Sequence, residues 1–295
     1  MKKTGIVTDS HSGITPAEAE QLGIWVVPMP FYIDGNCYFE NTTITREQFF
    51  EKLLSGSDIS TSQPSPESVM KVWDEALSEY EEILYLPITS GLSGSCATAT
   101  AFAQEEKYAG KVFVVDHGRV STPLRRTVMD AMEMVEEGYS AQQIRTSIEN
   151  DRDNMVIYIG VENLDCLKRG GRVSATTAAV ATVLNIKPVL RLTTGLLDTY
   201  KKCHGFKNAR KVMIDTMRHD IETKFKEWDD KGELYLMAAS SADPEVTKEW
   251  VREIEEAFPG HKVLSDDLTL GLSAHVGHGG LGIGCSCRPR RPGEG

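Results

Sequence analysis

Short, uniformly apolar segments alternate with amphipathic segments through the first half of the chain, and this alternation limits the fold more than any other feature. The apolar segments predict buried strands at Gly5–Thr8, Trp25–Pro28, Ile83–Leu86 and Val112–Val115. The amphipathic segments predict helices at Pro16–Leu22, Arg46–Leu54, Pro66–Tyr80, Gly94–Lys107 and Val120–Glu137. Strands that alternate with helices in this way predict a parallel sheet with helices on its faces.

The second half of the chain has a different pattern, in which helices and strands are mixed. Thr194-Gly195 lies between two β-forming segments and predicts a hairpin, and therefore antiparallel pairing. Predicted strands cover Lys187–Leu192, Leu196–Tyr200, Leu234–Ala239 and Lys262–Leu264. Predicted helices cover Asn163–Lys168, Ser174–Leu184, Lys207–Glu227 and Pro244–Ala257. We therefore expect an N-terminal parallel-sheet α/β domain and a C-terminal α+β domain with a mixed or antiparallel sheet.

The division between the two patterns falls at Glu149–Asp153, the one linker-like cluster of charges in mid-chain. We predict an N-terminal domain over residues 1–150 and a C-terminal domain over residues 151–285. Prolines, glycines and arginines dominate residues 286–295, and this composition predicts a disordered tail.

Charge and composition exclude several classes of function. A net charge of −11 over 295 residues does not suit a nucleic-acid-binding protein, whose surface should be basic. No apolar run approaches the roughly 18 residues of a membrane span. The N-terminus lacks the apolar core of a signal peptide, so we expect a cytoplasmic protein without stable membrane insertion. The cysteines are scattered and Cys285-Ser286-Cys287 alone is weak evidence for a metal, so neither disulfides nor a metal site are expected.

A segment rich in hydroxyls and glycines, Ile88–Ser95, joins the third predicted strand to the next helix. Open parallel sheets bind ligands at such junctions, where the N–H groups at a helix start favour an anion. The hydroxyls and glycines belong to Ser90, Gly91, Ser93, Gly94 and Ser95. Ordinary helix capping by serine is the simpler alternative. A serine hydrolase is another, but its Gly-x-Ser-x-Gly elbow lacks the last glycine in Gly91-Leu92-Ser93-Gly94-Ser95.

Four further segments carry candidate groups. Thr61–Pro66 is stiffened by two prolines and alone is typical of a capped loop, while Asp9–Gly13 should lie at the same sheet edge as Ile88–Ser95. Arg169–Ser174 fits a phosphate clamp and a solvated Gly-Gly turn equally well. Gly277–Gly282 has the letters G-x-G-x-x-G, but no helix and no acidic residue follow it as a dinucleotide site requires. We interpret it as a pocket wall with a histidine at the rim.

Six motifs, in this order, resemble those of the DegV family of bacterial fatty-acid-binding proteins, from the first strand to about residue 284. They are Val7–Ser10, Thr61–Pro66, Ile88–Ser95, Leu164–Ser174, Lys187–Leu190 and His275–Gly282. The resemblance implies one long-chain fatty acid, such as palmitate, stearate or oleate, in an apolar tunnel between the two domains, and no other cofactor. It also implies a carrier in phospholipid metabolism that presents the acid to a separate fatty acid kinase, which makes an acyl phosphate.

The resemblance also assigns residues to the site. It implies that Thr61 and Ser93 hold the carboxylate and that His275 and Gly277 lie near the same head group. The other candidates for lining the pocket are Ser62, Ser90, Gly91, Gly94, Arg172 and Gly279. No catalytic residue and no metal are implied.

The chain departs from the family pattern in three places. Ser95-Cys96 replaces the usual Thr-Tyr, and His117 follows Asp116 where serine is common. His204 occupies a position where many members have an arginine that is associated with interaction at the head-group end. Coupling to a kinase is therefore an open question, and two other functions remain: a serine hydrolase that uses Ser93, and a regulatory protein that senses the lipid.

Overall fold

The computed structural model describes residues 2–178, 186–193, 195 and 197–294. Its first half begins with a strand and then combines strands with helices. The elements are β1 (Lys2–Asp9), a 3-10 turn (Ser10–Ser12), α1 (Pro16–Leu22), β2 (Trp25–Val27), β3 (Phe31–Ile33), β4 (Asn36–Tyr38), α2 (Arg46–Leu54), β5 (Ile59–Thr61), α3 (Pro66–Leu77), β6 (Tyr80–Leu86), α4 (Ser95–Phe102), β7 (Val112–Val114), α5 (Ser121–Glu136) and α6 (Ala141–Asn150).

A parallel sheet in the order β2-β1-β6-β7 forms the centre of the first half. Side chains of β6 alternate between its faces, and both faces are buried. Leu84 and Leu86 pack with α1, α5 and α6, whereas Ile83 and Tyr85 pack with α3 and α4. This arrangement confirms the predicted parallel-sheet α/β domain. A small antiparallel sheet in the order β4-β3-β5 was not predicted, because each of its strands has only three residues.

The second half is built around a mixed sheet. Its elements are β8 (Met155–Gly160), α7 (Asp165–Gly170), α8 (Ala175–Ala178), β9 (Ile186–Leu192), β10 (Asp198–His204), α9 (Phe206–Glu222), α10 (Lys226–Asp230), β11 (Leu234–Ser240), α11 (Pro244–Ala257), β12 (Val263–Asp267), α12 (Leu270–Val276) and β13 (Leu281–Cys287). The strand order is β10-β9-β8-β13-β11-β12, and β11 and β12 pair in parallel while the other neighbours in this order pair antiparallel. This confirms the predicted C-terminal domain with a mixed sheet.

Two predictions in this half fall partly outside the described residues. The antiparallel pairing of β9 with β10 agrees with the predicted hairpin, whose Thr194 and Leu196 are not described. Of the helix predicted over Ser174–Leu184, the structure describes α8, and residues 179–185 lie outside the described part.

The single helix predicted over Lys207–Glu227 is divided into α9 and α10. The chain leaves the helical path after Glu222, and the Phe225 N–H then donates to the carbonyl of Asp220 at 2.9 Å. Phe225 is fully buried in the core beneath the sheet. Burial of this aromatic side chain outweighs local helix propensity, and neither glycine nor proline marks the break in the sequence.

The prediction of a disordered tail is wrong for residues 286–294. Strand β13 extends through Cys287, and the arginines that follow are held by acidic groups of the N-terminal half. Arg291 is 6% exposed and forms two hydrogen bonds with the Glu137 carboxylate, at 2.7 and 2.9 Å. The Arg290 N–H donates to Asp151 at 2.7 Å. The buried, paired Arg291 cation and the Arg290 backbone bond fix a segment that composition alone would leave free.

The two halves meet across an apolar cluster, and the boundary near residue 150 stays a prediction. Met29, Ile88 and Val120 of the first half pack there with Ile159 and Leu268 of the second half. Within the described residues, no helix is both long enough and apolar enough to cross a membrane. The same residues contain no cluster of three His, Cys, Asp or Glu side chains that could hold a metal ion.

Candidate functional site

A cavity lies between the two halves, and one face of the mixed sheet forms its floor. It contains about 960 Å³ of space between atoms, the solvent at its mouth included. The strand register places two rows of lining residues side by side across the sheet. They are Leu192, Ile157, Gly284 and Met237 in one row, and Ile159, Gly282 and Ala239 in the other.

The floor is apolar and is not fully covered by protein. Ile157 and Ala239 lie on inner strands of the sheet, yet both are only partly buried because the cavity lies over them. Gly282 and Gly284 carry no side chain on the same face of β13, which makes the floor lower between its neighbours. An apolar sheet face with open space above it is suited to a hydrocarbon chain.

Polar side chains are grouped on the loops and helix ends that surround one part of the cavity. Thr61 ends β5, and its Oγ1 lies 2.7 Å from Nε2 of His275, which lies near the end of α12. Ser62 and Ser93 line the same cavity, and Ser93 Oγ lies 2.9 Å from the hydroxyl of Ser95. The structure thus brings together three of the predicted head-group residues, Thr61, Ser93 and His275.

Glycines leave room for the two histidines of the cavity wall. A Cβ atom on Gly170 would overlap Nδ1 of His275, so a side chain at this position would displace the imidazole. A Cβ atom on Gly271 would lie 2.5 Å from Cε1 of His11. Gly170 of the predicted phosphate clamp therefore has a packing role beneath the histidine.

Both histidines are neutral at neutral pH. Burial, with a smaller contribution from the nearby Arg172 guanidinium, lowers the pKa of His275 to about 4. Burial lowers the pKa of His11 to about 3, with smaller contributions from His275 and Arg172. His11 Nδ1 lies 3.3 Å from the Thr269 hydroxyl. The imidazoles therefore offer neutral hydrogen-bonding groups and no positive charge.

Arg172 is the one permanently charged residue among the described residues that line the cavity. Its Nε donates to the carbonyl of Leu92 at 3.2 Å, and its Nη1 donates to the carbonyl of Gly170. No carboxylate among the described residues pairs with it, and two contacts leave most of its five N–H donors available. A half-buried cation without a counter-ion, in a protein of net charge −11, is suited to an anionic ligand.

Ser93 lacks the environment of a catalytic serine. Its hydroxyl bonds with Ser95, and neither His11 nor His275 is recorded as its partner within the described residues. His275 Nδ1 is buried without a hydrogen-bond partner, whereas a triad histidine is oriented by an acid at this atom. The arrangement does not favour the serine hydrolase alternative.

The Asp9 carboxyl forms hydrogen bonds with two segments of the cavity wall on the side away from the cavity. This fully buried carboxyl accepts the N–H of Ile88 at 2.7 Å and the N–H of His11 at 2.9 Å. Burial raises its pKa to about 7, against the two hydrogen bonds, which favour the charged form. Asp9 does not line the cavity, but it joins the ends of β1 and β6 where lining residues begin.

Several candidate lining residues lie outside the cavity wall. The Ser90 hydroxyl is directed to Asp116, to which it donates at 2.7 Å, and Gly91 and Gly94 are on the outer side of the same loop. Gly277 has a φ of 82° and packs near Cys166, while Gly279 packs against Glu162. Ser90, Gly91, Gly94, Gly277 and Gly279 are therefore not lining residues, whereas Ser62 and Arg172 are.

The departures from the family pattern have different surroundings. His117 is fully buried, with Nε2 2.7 Å from the carbonyl of Pro87 and Nδ1 accepting the N–H of Arg119 at 3.0 Å. It therefore supports the start of the loop that carries Ser93. Cys96 is also buried, whereas His204 ends β10 and is exposed.

The sequence interpretation missed the apolar floor and two polar lining residues, Ser121 and Thr122. Ile157, Ile159 and Gly284 belong to strands that had not been predicted, although apolar residues on both faces of Met155–Gly160 are typical of a strand covered on both sides. Both line the cavity at the start of α5. No local motif marks them.

Comparisons with known proteins identify the family and agree with the fold. The chain matches the family model described as uncharacterised proteins of the DegV family over residues 3–287. A DegV domain-containing protein of Deinococcus radiodurans is 34% identical over 217 residues, which are 73% of this chain and 76% of that protein. A Thermus thermophilus structure described as a fatty-acid-binding DegV family protein has a TM-score of 0.85 at 30% identity, over 97% of this chain and 99% of that one. A stearic-acid-binding protein of Eubacterium ventriosum shares the fold, with a TM-score of 0.84 at 20% identity over 97% and 98% of the two chains. The chain belongs to the DegV family.

Proposed function

We propose that the protein binds one long-chain fatty acid in the cavity between its domains, with the carboxylate beside Arg172 and the acyl chain over the sheet floor. The observation that carries this proposal is one uncompensated cation, Arg172, in a cavity whose floor is apolar and whose other described lining residues are neutral. A fatty acid has the complementary distribution, with one negative charge at the end of a hydrocarbon chain. The fatty-acid-binding description of the relative from Thermus thermophilus supports the same ligand class.

The carboxylate meets donors of two kinds at the polar end. Thr61 and Ser93 supply neutral hydroxyls, His275 supplies a neutral ring nitrogen, and Arg172 supplies charge. A buried carboxylate without partners would be costly, so these groups set the orientation of the ligand. Palmitate, stearate and oleate all fit this description, and no further cofactor is part of the proposal.

The acyl chain supplies most of the affinity. About 15 methylenes, at roughly 0.8 kcal/mol each, are worth about 12 kcal/mol when buried. Association itself costs about 4–15 kcal/mol, so the tail is needed to offset this cost. The head-group contacts then decide which end of the ligand enters and which charge state is bound.

The protein acts as a carrier rather than as an enzyme, and it works in the cytoplasm. The sequence contains no Walker A motif, so ATP is bound by a separate fatty acid kinase catalytic protein. An oxygen of the bound carboxylate attacks the γ-phosphorus of ATP, the new O–P bond gives an acyl phosphate, and ADP leaves. The role of this chain is to hold the carboxylate at a polar end that the kinase reaches.

Titration of delipidated protein with stearate and with methyl stearate tests the ligand class. The two ligands share a tail, but the ester has no negative charge. We expect one stearate per chain and at least tenfold weaker binding of the ester. Absence of stearate binding to folded, delipidated protein would contradict the proposal. For the carrier role, hydroxylamine should trap an acyl phosphate only when ATP and a fatty acid kinase are both added.

A further inference from the structure

One hydroxyl in the cavity wall has no hydrogen-bond partner among the described residues. Five hydroxyl side chains line the cavity within the described residues. Four of them are paired: Thr61 with His275, Ser62 with the Gln63 carbonyl, Ser93 with Ser95, and Thr122 with the Ala238 carbonyl. The fifth, Ser121, is 6% exposed and forms no recorded bond with any described residue. Its oxygen is not fully enclosed by protein, so it faces the open space of the cavity, where a group from outside the protein can form a hydrogen bond with it.

The backbone at Ser121 is held in an uncommon conformation. Its φ is 58°, in the left-handed region that serine rarely adopts. Strained positions of this kind persist where the surrounding structure imposes them, and they are frequent at binding sites. The strain and the unpaired hydroxyl are two separate observations on the same residue.

Ser121 is also the first residue of α5, a helix of 16 residues whose start is not capped by a side chain. Val120 occupies the N-cap position and has no polar side-chain atom, and Pro123 has no N–H. The N–H groups of Ser121 and Thr122 have no recorded acceptor within the described residues. A helix start in this state favours an acceptor oxygen, through both its free N–H groups and its dipole.

This helix start contacts the sheet floor, and the segment just before it contacts the loop that carries Ser93, where the Thr89 N–H donates to the Arg119 carbonyl at 3.1 Å. The Thr122 hydroxyl contacts the carbonyl of Ala238 on β11, and Arg126, one turn further along α5, lies over the ring of Tyr235. Helix α5 therefore follows β11 away from this point. A ligand whose carboxylate is beside Arg172 and whose chain follows the floor passes Ser121 along its length.

We propose that the start of α5 is a second polar subsite, centred on Ser121, that binds a hydroxyl group on the acyl chain. The ligand class is a monohydroxylated long-chain fatty acid, whose hydroxyl donates to or accepts from Ser121 and accepts from the helix start. A second carboxylate is disfavoured, because Arg172 is the only charged residue among the described lining residues. This inference rests on the proposed function, since it assumes a fatty acid in the cavity.

The test compares stearate with a set of monohydroxystearates that carry the hydroxyl at different positions along the chain. Binding to delipidated protein is measured by calorimetry. We expect at least one positional isomer to bind about 2- to 10-fold more tightly than the isomers on either side of it, the range for one additional hydrogen bond. In S121A this preference should fall to about one.

Two further variants make the outcome decisive. S121G removes the hydroxyl and also suits a positive φ, so it should fold at least as well as the wild type and lose the preference as S121A does. T122V removes the neighbouring, already paired hydroxyl and should keep the ratio between the isomers. The inference would be overturned by equal affinities for all isomers, or by a preference that survives in both Ser121 variants. In either case, binding of stearate would still support the proposed function. Failure of stearate itself to bind would instead contradict the proposed function.

Discussion

Replacement of Arg172 by glutamine removes the single positive charge from the described cavity wall and keeps a polar side chain of similar length. The ligand carboxylate then loses its charged hydrogen bonds, which are worth about 1.5–3 kcal/mol each. Because Arg172 is only half-buried and already donates to two carbonyls, we expect the lower part of this range. A loss of about 1.5–2 kcal/mol corresponds to stearate binding about 10- to 30-fold more weakly.

The pH dependence of stearate binding shows whether Arg172→Gln weakens binding through the lost charge or through a change in the shape of the cavity. With Arg172 present, the bound carboxylate stays ionised and affinity should be nearly constant between pH 6 and 8. Without it, burial raises the pKa of the bound carboxyl, so that binding takes up a proton and affinity falls as pH rises. Both histidines are already neutral in this range, so they do not contribute to the change.

Arg169→Gln is the matched control for this experiment. Arg169 has the same charge and lies three residues away, but it is exposed and does not line the cavity. Displacement of a fluorescent fatty acid from delipidated protein, measured for both variants from pH 6 to 8, gives the comparison. Equal affinities in Arg172→Gln and Arg169→Gln, with the same pH profile as the wild type, would refute the assignment of the head-group end.

Three further predictions concern the frame of the site. In Gly170→Ala, the new methyl group overlaps the His275 imidazole, so we expect both a lower melting temperature and weaker stearate binding. In Arg291→Ala, the Glu137 carboxylate loses two hydrogen bonds, and chemical denaturation should show a loss of about 1–2 kcal/mol, since Glu137 is itself partly exposed. Asp9 has its pKa raised to about 7 in the folded state from 3.8, so the folded protein holds a proton that the unfolded chain releases between these values. The stability of the wild type relative to Asp9→Asn should therefore fall as pH rises from about 4 to about 7, by at most about 1.4 kcal/mol per pH unit, and then level off.

Each of these predictions has its own control. Gly195→Ala adds a methyl group where nothing lies within 4 Å, and it should leave melting and binding unchanged. Arg252→Ala removes an exposed cation and should change stability by less than about 0.5 kcal/mol. Wild-type stearate binding in Gly170→Ala would contradict the packing argument for His275. Equal stabilities of Arg291→Ala and Arg252→Ala would contradict the role of Arg291. Profiles of stability against pH that run parallel for Asp9→Asn and wild type would contradict the raised pKa of Asp9.

The helices with clear start signals were predictable from sequence. Thr45-Arg46-Glu47-Gln48 forms a capping box at α2, and Pro66 follows the Ser65 cap at α3. Helix α11, with Pro244 in its first turn, also has the predicted bounds. In these cases the signal is local, so neighbouring residues decide the outcome. The division between α9 and α10 was not predictable in this way, because burial of Phe225 depends on residues distant in sequence.

The same distinction applies to the site. Thr61, Ser93, Arg172 and His275 were found because they occur in short motifs, and all four line the cavity. Ser90 occurs in the same motif as Ser93, but its side chain is directed to Asp116, and sequence spacing does not determine that direction. The apolar floor is formed by cross-strand register between β8, β13 and β11, which pairs residues up to about 130 positions apart. Long-range register of this kind is not contained in any local pattern.

The central claim is that one chain holds one long-chain fatty acid. Mass spectrometry of the purified protein under native and denaturing conditions tests it directly. The native mass should exceed the denatured mass of the 32.6 kDa chain by one molecule of a fatty acid such as palmitate, stearate or oleate, which organic extraction should then recover. Identical native and denatured masses, together with no uptake when stearate is added to the delipidated protein, would contradict the claim.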